Sequence, residues 1–433
     1  MTANGVYKST DSGSNWILSY SIPVGQSFRD IMFKPGDSSI IYASGINTFI
    51  RTIDGGNNWY SAESTYSNEK ISLATDVNNP THLYAYYFNL DSPGQILKKS
   101  TNSGRNWTIV NSSCGLNAKS WLSEIWVAPD GDIYAGGVTI SRSVNGGVSF
   151  SSLNYVGHVD VRAATFPDQA NPELVYFATD GGVFKSTNGG INSWSCINGD
   201  LVVSEIYDLD VTIQDPEIVL AGAHDNYTFK RNNDGTWTSV AGGDGGICWL
   251  NQSDHNSFYY MINKWLYKNG AFIDTLFVYD DPCFMDPIDN DKIYISTPAN
   301  TSTLSYDFEW VKGSTRSLIA NYPNDLDDLS FCDTEPTTMY YTIGNTWAYS
   351  RLFRRENSVI TELNYSDIAS ARAEGRVTNI VVNPYKSNEV WITFGGFSES
   401  HKVYFSNDCG EHWTNFTGSG LPSLPIQCFE YDY

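Results

Sequence analysis

Three short phrases set an acid among glycines or small residues: ATDGG around Asp180, AGAHDNY around Asp225 and AGGDGGICW around Asp244. A carboxyl group held in a tight turn can accept hydrogen bonds from sugar hydroxyls or move a proton in acid–base catalysis. His224 and Tyr227 flank Asp225, and Trp249 follows Asp244, which adds an imidazole and two aromatic rings. Glycine beside an acid permits close approach of a ligand, but it equally makes a tight turn. For Asp180 and Asp244 the plainer expectation is a side chain that caps its own turn. Asp180, His224, Tyr227, Asp244 and Trp249 are the candidate ligand contacts around Asp225.

Other combinations point away from metal and cofactor chemistry. The six histidines, at 82, 158, 224, 255, 401 and 412, show no H-E-x-x-H or paired spacing, so neither a catalytic zinc nor a cofactor is expected. DLDD at 325–328 and DNDK at 289–292 lack the alternating oxygens and terminal Glu of a calcium loop and read as solvated turns. Seven scattered cysteines without C-x-x-C exclude a complete disulfide framework and leave room for one bridge that the sequence does not choose. The net charge of -22, from 26 basic and 48 acidic residues, repels nucleic acid and anionic membranes. No run reaches the ~18 apolar residues of a membrane span. The aromatic content (13 Trp, 28 Tyr, 21 Phe) suits an extracellular protein that meets neutral, polar ligands such as sugars. MTANGVYKST has no signal-peptide pattern, so a secreted character implies that the chain is a fragment.

The elements that must position these residues are announced by a second set of acids. STDSGSNW at 9–16 recurs as TIDGGNNW, STNSGRNW, SVNGGVSF and SNDCGEHW, and as STNGGINSW with one extra residue. Its acid or amide is Asp11, Asp54, Asn102, Asn145, Asn188 or Asp408, and its aromatic residues include Trp16, Trp59, Trp107 and Trp413. Asn in place of Asp satisfies a hydrogen-bonding role and not acid catalysis, so these residues read as turn fasteners. Trp16 to Trp59 spans 43 residues, and the following aromatics come at 48, 43, 44 and 43. Between them lie phrases such as DIMFKPGDSSIIYASG and IVVNPYKSNEVWITFGG, which read as short strands and turns, four strands to a unit. Helical periodicity is confined to SDIASARAEG near 367.

A period in the forties with four strands per unit predicts an all-β fold of β-propeller blades. Ten units are countable, the first beginning at its third strand, and IQCFEYDY at 426–433 opens an eleventh. The fastener always falls between third and fourth strands. Strand parity then places Asp180, Asp225 and Asp244 on the opposite face.

The repeats GVYKSTDSGSNW and their relatives resemble the Asp-box (BNR) repeats of sialidases, sortilin-like receptors and xyloglucanase-type glycoside hydrolases. The stretches from YFATDGGVFKSTNGG to VWITFGGFSESHKVYFSNDCGEHWTNF are similar to secreted Bacteroidetes proteins of this kind. The resemblance implies two tandem seven-bladed propellers, both incomplete, over residues 1–196 (about five visible blades) and 197–433 (about six). A single ten-bladed propeller is the alternative. It also implies an extracellular polysaccharide of xyloglucan or β-glucan type bound between propellers, with Asp225 as one carboxyl of an inverting catalytic pair. Its partner would lie in a first-blade turn, and TANGVYKST has no Asp there. Arg351, Arg354 and Arg355 crowd one strand, unlike the arginines of a sialidase. A non-catalytic propeller that binds a cell-surface protein, as sortilin-like receptors do, is the other expectation, and in either case a monomer.

Overall fold

The computed structural model describes residues 5–431, apart from 24–25, 62–67, 92–93, 154–156, 202, 213, 276–282, 301–304, 314 and 345–349. The fold is all-β, of β-propeller type. Contacts divide it into two compact units, Met1–Val203 and Ser204–Tyr433. The phrases read as strands become antiparallel sheets joined in sequence order. Among the described residues the first unit holds a hairpin (Gly5–Lys8 with Ile17–Ser21) and four four-stranded sheets. The first two of these sheets are linked by one pairing, Ile46 with Lys70. The second unit holds five such sheets. SDIASARAE forms a 3-10 turn (Ser366–Ile368) and a short α-helix (Ala369–Glu374) before the last sheet.

Strand alternation places one apolar face of each sheet against the next sheet, so each core cluster is shared between neighbours. In the second unit, Ile218 and Leu220 of its first sheet pack with Cys248, Leu250 and Tyr260 of the second. Trp249, Tyr259 and Met261 then meet Cys283, Ile293 and Ile295 of the third. None of the seven cysteines is in a disulfide, and those at 114, 248, 283 and 332 are buried. They serve as small apolar residues, and no inter-repeat bridge forms.

Polar stitches supplement this packing. A side-chain oxygen on the first strand of one blade accepts the backbone N–H of the next blade's first strand. In the first unit Asp30 accepts from Leu73 at 3.1 Å, and Ser72 accepts from Ile125 at 3.3 Å. In the second, Asp208 and Asp210 accept from Cys248 and Leu250 at 2.9 and 2.8 Å. Asp328 and Ser330 do the same for Ile380 and Val382 at 2.6 and 3.0 Å. The expectation that DLDD forms a solvated turn is therefore wrong. It opens a strand, Asp325–Phe331, whose edge N–H partners need a carboxylate. DNDK is a turn as expected, with Asp289 paired to Lys312 and Asp291 to Lys268.

Residues 426–431 continue the series without a regular ladder. The Phe429 N–H donates to Asn379 Oδ1 at 2.9 Å, the place that the first strand of a following blade would take.

Candidate functional site

The fastener turns are built from three bonds. In the second of them the Thr52 hydroxyl donates to Asp54 Oδ1 at 2.7 Å and accepts from Gly56 N–H at 3.0 Å. Asp54 Oδ1 then accepts the Asn58 N–H at 2.9 Å. Asp11, Asn102, Asn145 and Asp408 make the same pair of bonds. Asn188, in the turn with the extra residue, bonds Ser186 and donates to the Ile191 carbonyl instead. The aromatics vary more: Trp413 is buried, Trp107 stands edge-on to Phe49, and Trp59 donates to Ser19 Oγ. Trp16 stays 62% exposed, its indole N–H donating to the Gly13 carbonyl.

Asp180 sits in the first unit, in the turn between Val175–Thr179 and Gly182–Ser186. Thr179 Oγ1 caps that turn by accepting the Gly181 N–H, while both Asp180 oxygens bind the Arg162 guanidinium at 2.7 and 2.6 Å. A bidentate Arg pair of this kind neutralises the carboxylate.

In the second unit, Val219–His224 turns through Asp225 and Asn226 into Thr228–Arg231. Asp225 and Tyr227 take positive φ, 56° and 74°. The Asn226 N–H bonds the Ala223 carbonyl at 3.1 Å, and the Tyr227 N–H reaches Gly243 at 3.0 Å. The glycine of the AGAHDNY phrase, Gly222, faces protein and not open space. A Cβ there would stand 1.8 Å from the Gly246 carbonyl oxygen, so glycine is required for the next blade to pack.

This packing carries Asp244 up to the turn. The ligating atoms of His224, Asp225 and Asp244 lie within 4.8 Å of one another, a spacing that could hold a cation. His224 Nδ1 is 3.7 Å from Asp225 Oδ2 and 3.6 Å from Glu205 Oε2. Its ring stacks on Tyr207, with centroids 4.6 Å apart and planes at 12°.

His224 and Asp244 also border a cavity of about 870 Å3, whose walls come mainly from the first strands and linkers of four successive blades, with His224, Met261 and Asn263 from second strands or the turns after them and Glu430 from the terminal segment. Tyr207, Trp249, Phe284 and Phe331 supply aromatic surface, and Asp208 and Asp210 supply carboxyls. Burial pushes each of these two carboxyls up to about 6. Trp249 is only 9% exposed and belongs mainly to the core. Tyr227 is 44% exposed, stands edge-on to Phe229 and lies outside the cavity lining. The residues missed from the sequence are Tyr207, Asp208 and Asp210. Their signal was the alternation in EIYDLDV, which puts two acids on one strand face.

No protein-family model matches the chain, and no curated protein matches it. Among solved structures, the chain is similar to a GH74 enzyme of Niastella koreensis, with a TM-score of 0.34 and 14% identity over 90% of this chain and 72% of that one. It is similar also to the GH74 xyloglucanase from Xanthomonas campestris, with a TM-score of 0.31 and 12% identity over 91% and 82% of the two chains. A third is the extracellular domain of a hybrid two-component system from B. thetaiotaomicron, with a TM-score of 0.36 and 12% identity. That match covers 96% of this chain and 49% of the other, so the chain spans about half its length.

Proposed function

We propose that this is a secreted Asp-box protein of two tandem propellers that binds an extracellular polysaccharide in the cavity of its second unit. The observation that carries the reading is the lining of that cavity, where aromatic surface and carboxyls meet and, among the described residues, no lysine or arginine enters. Sugar rings stack on aromatic faces while their hydroxyls donate to carboxylates, so both halves of the lining have a use. Its volume of about 870 Å3 falls in the ~300–1,000 Å3 range usual for ligand sites.

Binding is the reading that the lining supports, and the acids beside the cavity lack the spacing of an inverting pair. The ligating oxygens of Asp225 and Asp244 lie within 4.8 Å of each other, against about 6.5–9.5 Å for an inverting pair and about 5–5.5 Å for a retaining one. Calorimetry with xyloglucan and other glucans, paired with a reducing-end assay, tests this. Saturable binding that weakens about tenfold in Asp244→Asn, which borders the cavity, with no new reducing ends, is expected. Absence of binding to any glycan overturns it in favour of a protein partner. Hydrolysis that falls by ~10² or more in Asp225→Asn would make Asp225 an acid or base after all.

A further inference from the structure

Arg51 is a buried charge that the fold leaves unpaired. It lies on Thr48–Thr52 of the first four-stranded sheet, opposite Tyr42, and is only 6% exposed. Its Nε is covered and has no acceptor, and among the described residues no carboxylate or carbonyl meets its guanidinium. Burial, and then the like charge of Arg105, draw it below the ordinary arginine value. Arginine stays protonated in proteins, so a covered guanidinium needs an anion or acceptors around it.

The third four-stranded sheet shows one way of meeting that need. Arg142 holds the same place there, opposite Tyr134, and is 8% exposed. It binds Asp132 at 2.7 Å, Glu173 at 3.4 Å and the Gly189 carbonyl at 3.3 Å. Strand register and turn bonds identify the counterparts around Arg51. Asp132 precedes the strand partner of Ser143, and Ile40 precedes the strand partner of Thr52. The Glu173 carbonyl accepts from the Gly189 N–H, and the Thr81 carbonyl accepts from the Ser103 N–H. An isoleucine and a threonine thus stand where Arg142 has its two acids.

A second cation comes instead. The fastener turn of the neighbouring sheet closes over this spot: Ser103 lies beside the Tyr42 hydroxyl, and a Cβ on Gly104 would stand 3.2–3.5 Å from Phe49, Leu83 and Tyr42. Arg105 follows in that turn, exposed and, among the described residues, in no ion pair. Asp37 is near enough to act on Tyr42, but Ser39 and Lys34 engage it.

We infer that Arg51 and Arg105 form a site in the first unit for a tetrahedral oxyanion, a sulfate or phosphate group that is free or carried as an ester. A carboxylate satisfies one guanidinium fork with its two oxygens, whereas a tetrahedral group has oxygens for both. Two like charges in a partly covered place repel, and an anion between them removes that cost. The site is independent of the polysaccharide reading, which concerns the second unit.

The test is calorimetry of the whole chain with sodium sulfate, sodium phosphate, sodium acetate, glucose 6-sulfate and glucose 6-phosphate, at an ionic strength held constant with chloride. Saturable binding of sulfate or phosphate is expected, weaker by at least about tenfold in Arg105→Ala and absent in Arg51→Met. Arg105→Ala removes an exposed side chain and should keep the wild-type melting temperature in chloride, while Arg51→Met keeps the buried stem. Sulfate raises melting temperatures generally by exclusion from protein surfaces, so only a rise that both variants lose counts as support. Binding of the inorganic ions alone assigns the free ion, and binding of the sugar esters as well assigns an ester-bearing ligand. No saturable binding, binding that both variants retain, or acetate as tight as sulfate overturns the inference. The first of these outcomes means that water serves Arg51.

Discussion

Ser100 has no exposed surface, and its hydroxyl accepts from the Gly104 N–H at 2.9 Å while donating to Asn102 Oδ1 at 3.0 Å. Thr52, Ser143, Ser186 and Ser406 are equally buried and hold the same place in their turns. The acid that gives the motif its look is on the outside, and the hydroxyl is the part that cannot reach water. Ser100→Ala leaves a buried amide without its acceptor, a loss of about 1–3 kcal/mol. Urea denaturation should show it as a lower midpoint with an unchanged slope, and a loss below ~0.5 kcal/mol would mean that water replaces the hydroxyl. Asp408→Ala should lower the melting temperature and leave glycan affinity alone. None of the residues of its turn borders the cavity.

At the scale of strands and turns, much was legible in the sequence. DIMF and IIYASG fall inside Ser27–Lys34 and Asp37–Ile46, and FIRT at 49–52 falls inside Thr48–Thr52, because local alternation and turn residues decide such elements. The site was legible only in part. His224, Asp225 and Asp244 do meet, since strand parity alone puts their turns on one face. What failed needed knowledge of a neighbour. Asp180 is taken by Arg162 eighteen residues before it, Gly222 by the backbone of the next blade, and DLDD by the amides of Ile380 and Leu329. Inter-blade register leaves no mark on a short phrase.

The terminal segment shows the same dependence on neighbours. Lys402 is wholly buried, and its ammonium donates to the carbonyls of Gly396 and Leu424, tying residues 418–426 back to the last sheet. Thr378 and Phe429 add hydrogen bonds further along. Lys402→Met keeps the length and apolar stem and removes the donors. Limited proteolysis should then cut between 416 and 426 several times faster than in wild type, while the sheets stay protected. Unchanged cutting would show that the Thr378 and Phe429 bonds suffice.

Across the whole molecule, two populations of carboxyl groups pull stability in opposite directions with pH. Asp11 is held at about 2 by hydrogen bonds from the side chain and backbone of Asn15, and Asp54 at about 2 by those of Asn58. Depressed below the unfolded value of about 4, they contribute stability that is present above pH ~4 and lost as pH falls toward 2. Burial raises the stitch carboxyls of Asp208, Asp210 and Asp328 to about 6. These bind more protons folded than unfolded between pH ~4 and ~6, so their contribution is greatest below that window and declines as pH rises through it. The net charge of -22 at pH 7 acts in the same sense, because protonation relieves self-repulsion. The melting temperature should therefore peak near pH 4–5 and fall on both sides, with the fall toward pH 7 reduced by salt for its charge-repulsion part. Asp328→Asn should flatten the limb between pH 4 and 6 by removing one titrating group. A melting temperature that rises steadily from pH 5 to 7 would mean that the stitches are held by ionised carboxylates at no cost, contrary to their burial.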